Sequence, residues 1–525
     1  MNEKEISAIA GASFFIGRGD LCPARSAGSC SGSNKRECRG RDRTVNNRVG
    51  TAETETESET GTETEEPTEE ETEGPGDPVD REKIETHLII ASDTHYMSPS
   101  LTDYGVAFDQ LVNSSDGKVI RYQPQLWQAF ESEVLEAHPD ALILSGDLSL
   151  NGEKANHLEF AEKLRKIKDA GIPVYVIPGN HDINKPNAGE YFGDQRTDVE
   201  SVASEEFREI YGDFGYNEAK SEAPDSLSYL VELNDTTWLM MLDTTVCEPE
   251  NEVYGEIKEG TLEWMEECLK EAYAEGITVI PVGHHNLQRL SRVYVEECVI
   301  ENCDEVRELF ERYLTPVYFS GHLHTQKVMK HLTEPGMGSD TYGIWEIVSN
   351  SLILPPCQYG TVTLNTDGSI DYLAKTVDVS TWAAANGETD PNLLEFSAYA
   401  ADYLQTVIKN QIFKTLEDVP KELKEVMADF YTDIYKDYYA GVPISYSEKK
   451  NEFGYGLWVR YMDPSVEFRQ LDGMMRDSIW LATANAMREG MFAFMMPVMT
   501  SEDGRCVATT RCMPAARAFC AMRQI

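Results

Sequence analysis

The 525-residue chain exceeds one ordinary domain, and its 41% apolar content suffices to close a large core. Its 91 acidic against 46 basic residues give a formal charge of −45, which argues against nucleic acid or an anionic membrane surface as the main binding partner. The same field would repel a phosphate substrate unless something reverses it locally, and bound divalent cations do so most simply.

Residues 1–50 read as a leader that is disordered or a degraded export signal, since a short apolar run, Ile6 to Gly17, precedes Ala27-Gly28-Ser29-Cys30, which loosely resembles a bacterial lipoprotein processing site. Residues 51–80 are almost wholly Thr and Glu until the breaker cluster Gly74 to Pro78. They cannot bury enough apolar surface to offset ordering entropy, so they read as a disordered acidic linker that would hold a catalytic domain away from a bacterial envelope. The eleven cysteines form no CxxC pair, which argues against a zinc finger. No stretch approaches the roughly twenty apolar residues of a transmembrane helix, so contact with a membrane would need a lipid or envelope tether.

Folded sequence begins near Ile84. The apolar run His87 to Ala91 leads into Ser92-Asp93-Thr94-His95, and after a helical stretch, Pro124 to Ala137, the run Asp140 to Ser145 ends in Gly146-Asp147. A second helical stretch, Ala155 to Ala170, precedes Ile172 to Ile177 and Gly179-Asn180-His181-Asp182, so three strands in linked βαβ units are expected. A hairpin is expected around Asn234-Asp235, then a helix from Thr261 to Ala274. The runs ending in Gly283-His284-His285 and Gly321-His322-Leu323-His324 repeat the rhythm, and alternation from Gly343 to Val377 reads as a closing antiparallel set. From residue 381 to 490, apolar and aromatic residues recur at helical spacing (Asn392 to Leu416, Pro420 to Tyr439, Val466 to Arg488), which predicts a helical domain; residues 491–525 read as an irregular tail. The expected fold is α/β: two packed β-sheets flanked by helices, with an additional C-terminal α-helical domain.

A strand places residues i and i+2 on one side, so Asp93 with His95, and His322 with His324, can each share a cation. Asp147, Asn180 and His284 also follow apolar runs and can project from the same sheet edge. These seven oxygen and nitrogen donors suit Mn, Fe or Zn rather than a soft thiolate site. Each pair alone is weak evidence; five such blocks in order, each just after a strand-like run, are hard to produce by core packing.

In these five blocks residues 84–378 resemble the calcineurin-like metallophosphoesterase superfamily. The resemblance implies an αββα sandwich with its site at the strand ends. It also implies two divalent metal ions: one held by Asp93, His95 and His324, the other by Asn180, His284 and His322, with Asp147 bridging. His285 is the less expected ligand of its block. Such a pair of cations lowers the pKa of a bridging water, which attacks phosphorus in line as a hydroxide. His181 would be the catalytic residue at the leaving group, and Asp182 would orient a neighbour or cap the turn. Three residues after Asp147, Leu150 supplies neither the Asp of protein-phosphatase relatives nor the Tyr of purple acid phosphatases. The stretch Gly146 to His157 instead looks like bacterial cyclic-nucleotide phosphodiesterase-type members, including a secreted kind. On that reading Asn151, Asn156, His157 and Asn184 are candidate substrate contacts, with ordinary loop and helix-start roles as the alternative. The expected activity is hydrolysis of a small phosphodiester, such as a 3′,5′-cyclic nucleotide, by a secreted or envelope-associated bacterial enzyme. The rivals are a broad phosphomonoesterase or nucleotidase, and a non-catalytic surface binding protein on the same scaffold.

Overall fold

The computed structural model describes residues 79, 81–289, 299–331, 343–415, 421–442, 507–511 and 521–523. The expected leader and acidic linker lie almost wholly outside the described residues, as does the expected helix from Val466 to Arg488.

The first sheet starts with β1 (Thr86–Ala91), β2 (Ala141–Ser145) and β3 (Val174–Ile177), which run parallel to one another. Their apolar runs are continuous rather than alternating because both faces are covered, and Leu142, Ile143 and Leu144 are wholly buried. The connections are helical: α1 (Val106–Ser114) and α2 (Gln123–Ala137) precede β2, and α3 (Lys154–Asp169) precedes β3. Pro124 sits in the first turn of α2, where its missing N–H costs nothing. A hairpin of β4 (Gly189–Phe192) and β5 (Gln195–Asp198) and the short helix α4 (Ser204–Ile210) then lead to the second sheet.

That sheet is built from β6 (Ser221–Glu222), β7 (Tyr229–Asn234), β8 (Thr237–Met241), β9 (Thr278–Val282), β10 (Val317–Ser320), β11 (Lys327–Lys330) and β12 (Trp345–Val348). Its spatial order is β11-β12-β10-β9-β8-β7-β6. The turn between β7 and β8 falls at the expected Asn234-Asp235. Helices α5 (Glu259–Glu275) and α6 (Cys303–Arg312) cover the outer face, where Trp264, Met265, Leu269 and Phe310 pack on Leu230, Met240 and Tyr318. The inner faces meet in one core, in which Ile89 and Ile143 share a cluster with Ile280, Val282 and Phe319. This is the αββα arrangement expected from the sequence.

The alternating stretch Gly343 to Val377 does not stay together. Whereas β12 joins the second sheet beside β10, the strands β13 (Gln358–Leu364) and β14 (Ile370–Thr376) return to the first sheet and pair antiparallel to β1 and to each other. Alternation reveals a half-buried strand but not which sheet will receive it. After β14 come α7 (Val379–Ala385), α8 (Pro391–Leu394), α9 (Phe396–Thr415) and α10 (Lys421–Tyr439). In the stretch expected to be irregular, β15 (Val507–Arg511) and β16 (Ala521–Arg523) extend the first sheet beyond β14. Val507 to Thr510 is mostly β-branched, which suits a strand. Among the described residues no helix is long and apolar enough to cross a membrane.

Glu346 on β12 ties the sheet to the loop after His284. It is fully buried and accepts hydrogen bonds from Leu287 N at 2.9 Å, Gln288 N at 2.7 Å and Ser320 Oγ at 2.8 Å. Burial outweighs these donors and pushes its carboxyl up to about 7. Folded protein therefore keeps this proton up to about pH 7, whereas the unfolded chain releases it near 4.5. Unfolding in that window releases a proton, so stability falls as pH rises, by on the order of 1–3 kcal/mol. The Glu346→Gln variant should show a flatter decline of melting temperature between pH 5 and 7.5 by calorimetry; an unchanged slope contradicts this account.

Candidate metal centre

The five polar blocks leave their strands on one rim of the sandwich, and backbone hydrogen bonds stitch them together. Asp93 N donates to Gly146 O at 3.1 Å, His95 N to Asp147 O at 2.9 Å, and Gly321 N to His284 O at 3.0 Å. Asp93, His95, Asp147, His322 and His324 all have φ between 38° and 67°, the left-handed region that side chains rarely adopt. Such strain persists only where surroundings enforce it, and it clusters at functional sites. Gly179 shows the closeness of the fit, because a Cβ there would collide with the backbone and carboxylate of Asp147.

Asp93, His95, Asp147 and His324 bring one ligand atom each within 4.8 Å of one another. His324 Nε2 lies 3.2 Å from Asp93 Oδ1 and 3.1 Å from His95 Nε2, and His95 Nε2 is 3.7 Å from Asp147 Oδ2. The other oxygen of Asp147, Oδ1, is 3.4 Å from His284 Nε2. Asn180 Oδ1 stands 3.2 Å from His284 Nε2 and 2.9 Å from His322 Nδ1. All seven donors named from the sequence thus converge, with the two oxygens of Asp147 turned to opposite halves of the cluster.

His285 also falls in a potential metal-holding group with His284 and His322. Its ring nitrogens are already committed, Nδ1 to Thr244 Oγ1 at 2.7 Å and Nε2 to Val253 O at 3.0 Å. In His284, by contrast, Nδ1 donates to Ser145 O at 2.9 Å, which turns the Nε2 lone pair to the centre. The first histidine of the pair is therefore the better donor.

The residues fit divalent cations. Asp93 Oδ1 is buried without a hydrogen-bond partner, and two imidazole nitrogens face each other across 3.1 Å. An uncompensated cluster of this kind is costly in a dry site, and a cation among the lone pairs relieves it. Burial works against the imidazolium form of His284, yet Asp147 beside it raises its pKa to about 9. The effect is local to His284, since burial lowers the pKa of His95 and of His322 in the same cluster.

His181 lies at the partly exposed mouth, its ring 4.9 Å from that of His95. Its backbone N–H donates to Asp147 Oδ1 at 2.8 Å, and its Nδ1 lies 2.9 Å from Leu150 O and 3.2 Å from Asn151 Oδ1. The Leu150 side chain cannot support this histidine, but the Leu150 carbonyl does. Burial, with Lys185 nearby, lowers the His181 pKa to about 3.

Other sequence-based assignments need correction. Asp182, expected either to orient a neighbour or to cap the turn, does the second: it is fully buried and accepts from Leu148 N, Ser149 N and Gly179 N at 2.8–3.0 Å, so it shapes the loops around Asp147 and is not a catalytic residue. Asn156 is also fully buried, accepting from Ser98 N and donating to Glu153. His157 bridges Tyr211 OH at 2.9 Å and Asp182 O at 3.0 Å with no exposed surface. The first turn of α3 faces the core, which a polar helix start does not reveal. Asn184 donates to Cys247 O at 3.1 Å and pins a loop. Of the four candidate substrate contacts only Asn151 faces His181.

The sequence reading missed Asp116 and Lys118. Lys118 Nζ is 2.8 Å from Asp116 Oδ2, which is 3.5 Å from His324 Nδ1. Burial alone would raise the Asp116 carboxyl, but Lys118 and His324 hold it far below the usual range. Only an acidic residue in a loop, without periodicity, marks this position.

Replacing His157 by Ala removes two buried hydrogen bonds and a packed ring, and should cost about 2–5 kcal/mol of stability. Its KM should stay within about twofold of wild type, since a twofold change is only ~0.4 kcal/mol. Urea melts and steady-state kinetics on the folded variant test this, and a selective rise in KM would restore His157 as a substrate contact.

Known proteins supply an independent comparison. The sequence model for calcineurin-like phosphoesterase matches residues 86–326, and that for the C-terminal domain of cyclic nucleotide phosphodiesterase matches residues 378–479. A probable cyclic nucleotide phosphodiesterase of Xenorhabdus bovienii is 26% identical over 192 residues, covering 37% of this chain and 64% of that protein. The chain thus matches slightly less than two thirds of that relative's length. Among solved structures, a dimetal phosphatase from Danio rerio aligns at 14% identity with a TM-score of 0.39, over 57% of this chain and 96% of that one. GAP50, the anchor in the inner membrane complex of Plasmodium, aligns at 11% identity with a TM-score of 0.32, over 56% and 85%.

Proposed function

Because residues 86–326 make the chain a member of the calcineurin-like phosphoesterases, we propose that it is a metal-dependent phosphodiesterase acting on small substrates such as 3′,5′-cyclic nucleotides. The observation that carries this reading is the meeting of seven oxygen and nitrogen donors from five strand exits in one cluster, where the buried Asp93 Oδ1 has no hydrogen-bond partner. The diester preference draws support from the printed description of the Xenorhabdus relative and from the match over residues 378–479.

On this reading Asp93, His95 and His324 hold one divalent cation, Asn180, His284 and His322 hold the second, and Asp147 offers an oxygen to each. Bound cations supply charge neutralisation for the phosphate and lower the pKa of water at the site. The protein does the rest. Backbone and side-chain hydrogen bonds hold its carboxylates and imidazoles in place, while the Leu150 carbonyl accepts from His181 Nδ1 and leaves Nε2 uncommitted by that bond. With Nδ1–H committed to Leu150 O, Nε2 is the ring's lone-pair nitrogen; it would take up a proton from water once an anionic phosphate stands beside it, and would pass that proton to the departing oxygen. Asn151, 3.2 Å from the same ring, steadies its orientation.

Purified full-length protein loaded with Mn should hydrolyse a cyclic nucleotide and a bis-aryl phosphodiester faster than an aryl monophosphate. Turnover of the monoester alone would sink the diesterase reading and favour a phosphomonoesterase. Chelation should abolish activity, and Mn, Fe or Zn should restore it; full activity after complete metal removal contradicts the metal assignment. The His181→Ala variant should lose about 10²–10⁴-fold in kcat with little change in KM, and near-normal kcat would remove His181 from the mechanism.

A further inference from the structure

We propose that Asp116 is a positioning residue for His324, and that the C-terminal helices, by bracing both partners, set the affinity of the cation held by Asp93, His95 and His324. The proposal rests on the metal reading above. It begins with the two nitrogens of one ring. His324 Nε2 points into the donor cluster, 3.2 Å from Asp93 Oδ1, while Nδ1 points the other way, 3.5 Å from Asp116 Oδ2. Asp116 Oδ1 is buried with no hydrogen-bond partner, so a small rotation of the carboxylate or ring closes a full hydrogen bond. A carboxylate behind a ligating imidazole keeps the proton on the far nitrogen, fixes the ring and raises the basicity of the near one.

Asp116 is not an ordinary surface acid. Its side chain is only 11% exposed, and that of its partner Lys118 is 12% exposed. What keeps the pair in place is α9. Gly117 has φ +111°, and a Cβ there would collide with Leu404 of that helix. One residue earlier in α9, Tyr403 OH donates to Val112 O at 2.9 Å and lies 3.3 Å from Ser115 Oγ. The loop carrying Asp116 is therefore pressed and hydrogen-bonded from the helical region.

The same region holds the other partner. At the end of α10, the Tyr438 carbonyl accepts from Thr325 Oγ1 at 2.8 Å and the Tyr439 carbonyl accepts from Gln326 N at 3.2 Å. Thr325 and Gln326 directly follow His324. One helix braces the carboxylate and the next braces the imidazole, so their separation is set by the packing of α9 on α10. The helices supply none of the seven donors; their contribution is the geometry of one ligand.

The test is calorimetric titration of metal-free, full-length protein with Mn²⁺, with circular dichroism to establish folding. Wild type should bind in two steps. Asp116→Asn, which keeps the shape but removes the charge, should weaken one step about 10–100-fold and leave the other unchanged, and Asp116→Glu should recover part of the loss. Leu404→Ala, which loosens the brace without touching any donor, should weaken the same step several-fold. Wild-type isotherms for folded Asp116→Asn, or equal weakening of both steps, would overturn the proposal while leaving the metal site intact. A wild-type chain that takes up no cation would overturn the metal reading, and this inference with it.

Discussion

Two carboxylates, Asp93 and Asp147, are buried within a few ångströms of each other in a chain whose charge is −45. In a medium of low polarity their repulsion and lost hydration are large, and the fold around them is organised as compensation. Backbone N–H groups meet them first: His322 N donates to Asp93 Oδ2 at 3.1 Å, and His181 N to Asp147 Oδ1 at 2.8 Å. Imidazoles come next, and the unpartnered Asp93 Oδ1 marks what remains for cations to satisfy. Strain in the backbone, of order 1–3 kcal/mol at each left-handed position, is sustained because the exits of β1, β2, β9 and β10 are bonded to one another.

That constraint explains why the site lies where two sheets share a core. A single parallel sheet would deliver Asp93, Asp147 and Asn180 at one edge, but His284, His322 and His324 come from the second sheet. Inward-facing side chains from β1, β2, β9 and β10 interlock in one cluster, which holds the two rims in register. Outside the donors, a shell of buried acids fixes the loops: Asp182 under the Asp147 turn, Glu346 under the loop after His285, and Glu153 beneath Asn151. Burial pushes all three carboxyls up to about 7, a sign of groups kept for geometry at some cost in solvation.

The sequence made the strand exits legible because each donor follows an apolar run, and an apolar run must bury itself and then turn. It placed β1, β2, β3, β9 and β10 and the helices α2, α3 and α5 within a few residues of their observed bounds. What it could not show depends on orientation. Asn156 and His157 are polar at a helix start, yet α3 turns its first residues inward. Leu150 has an inert side chain, but it is the backbone carbonyl, which has no signature in a sequence, that holds His181. Asp116 and Lys118 lie in a loop far from every motif and gain a role only when the chain folds His324 against them. Likewise, the alternation from Gly343 to Val377 identified strands but not their division between sheets.

The helical region raises the converse question, since its composition announced helices and nothing of their use. A surface helix hairpin packed on an enzyme need only bury its apolar face, and scattered side-chain contacts would do that. Here α9 and α10 instead make directed polar contacts, through Tyr403 OH and the Tyr438 and Tyr439 carbonyls, to the two loops that meet at His324. Those contact points are remote in sequence: one lies at the end of α1, the other just before β11. Without a third body the gap between Asp116 and His324 would be free to vary, and an imidazole free to swing is a poor donor. On the proposal made above, the adjacency of the two matched regions, 86–326 and 378–479, has a physical basis in this chain: α9 and α10 of the second brace the loops around a residue that the first supplies.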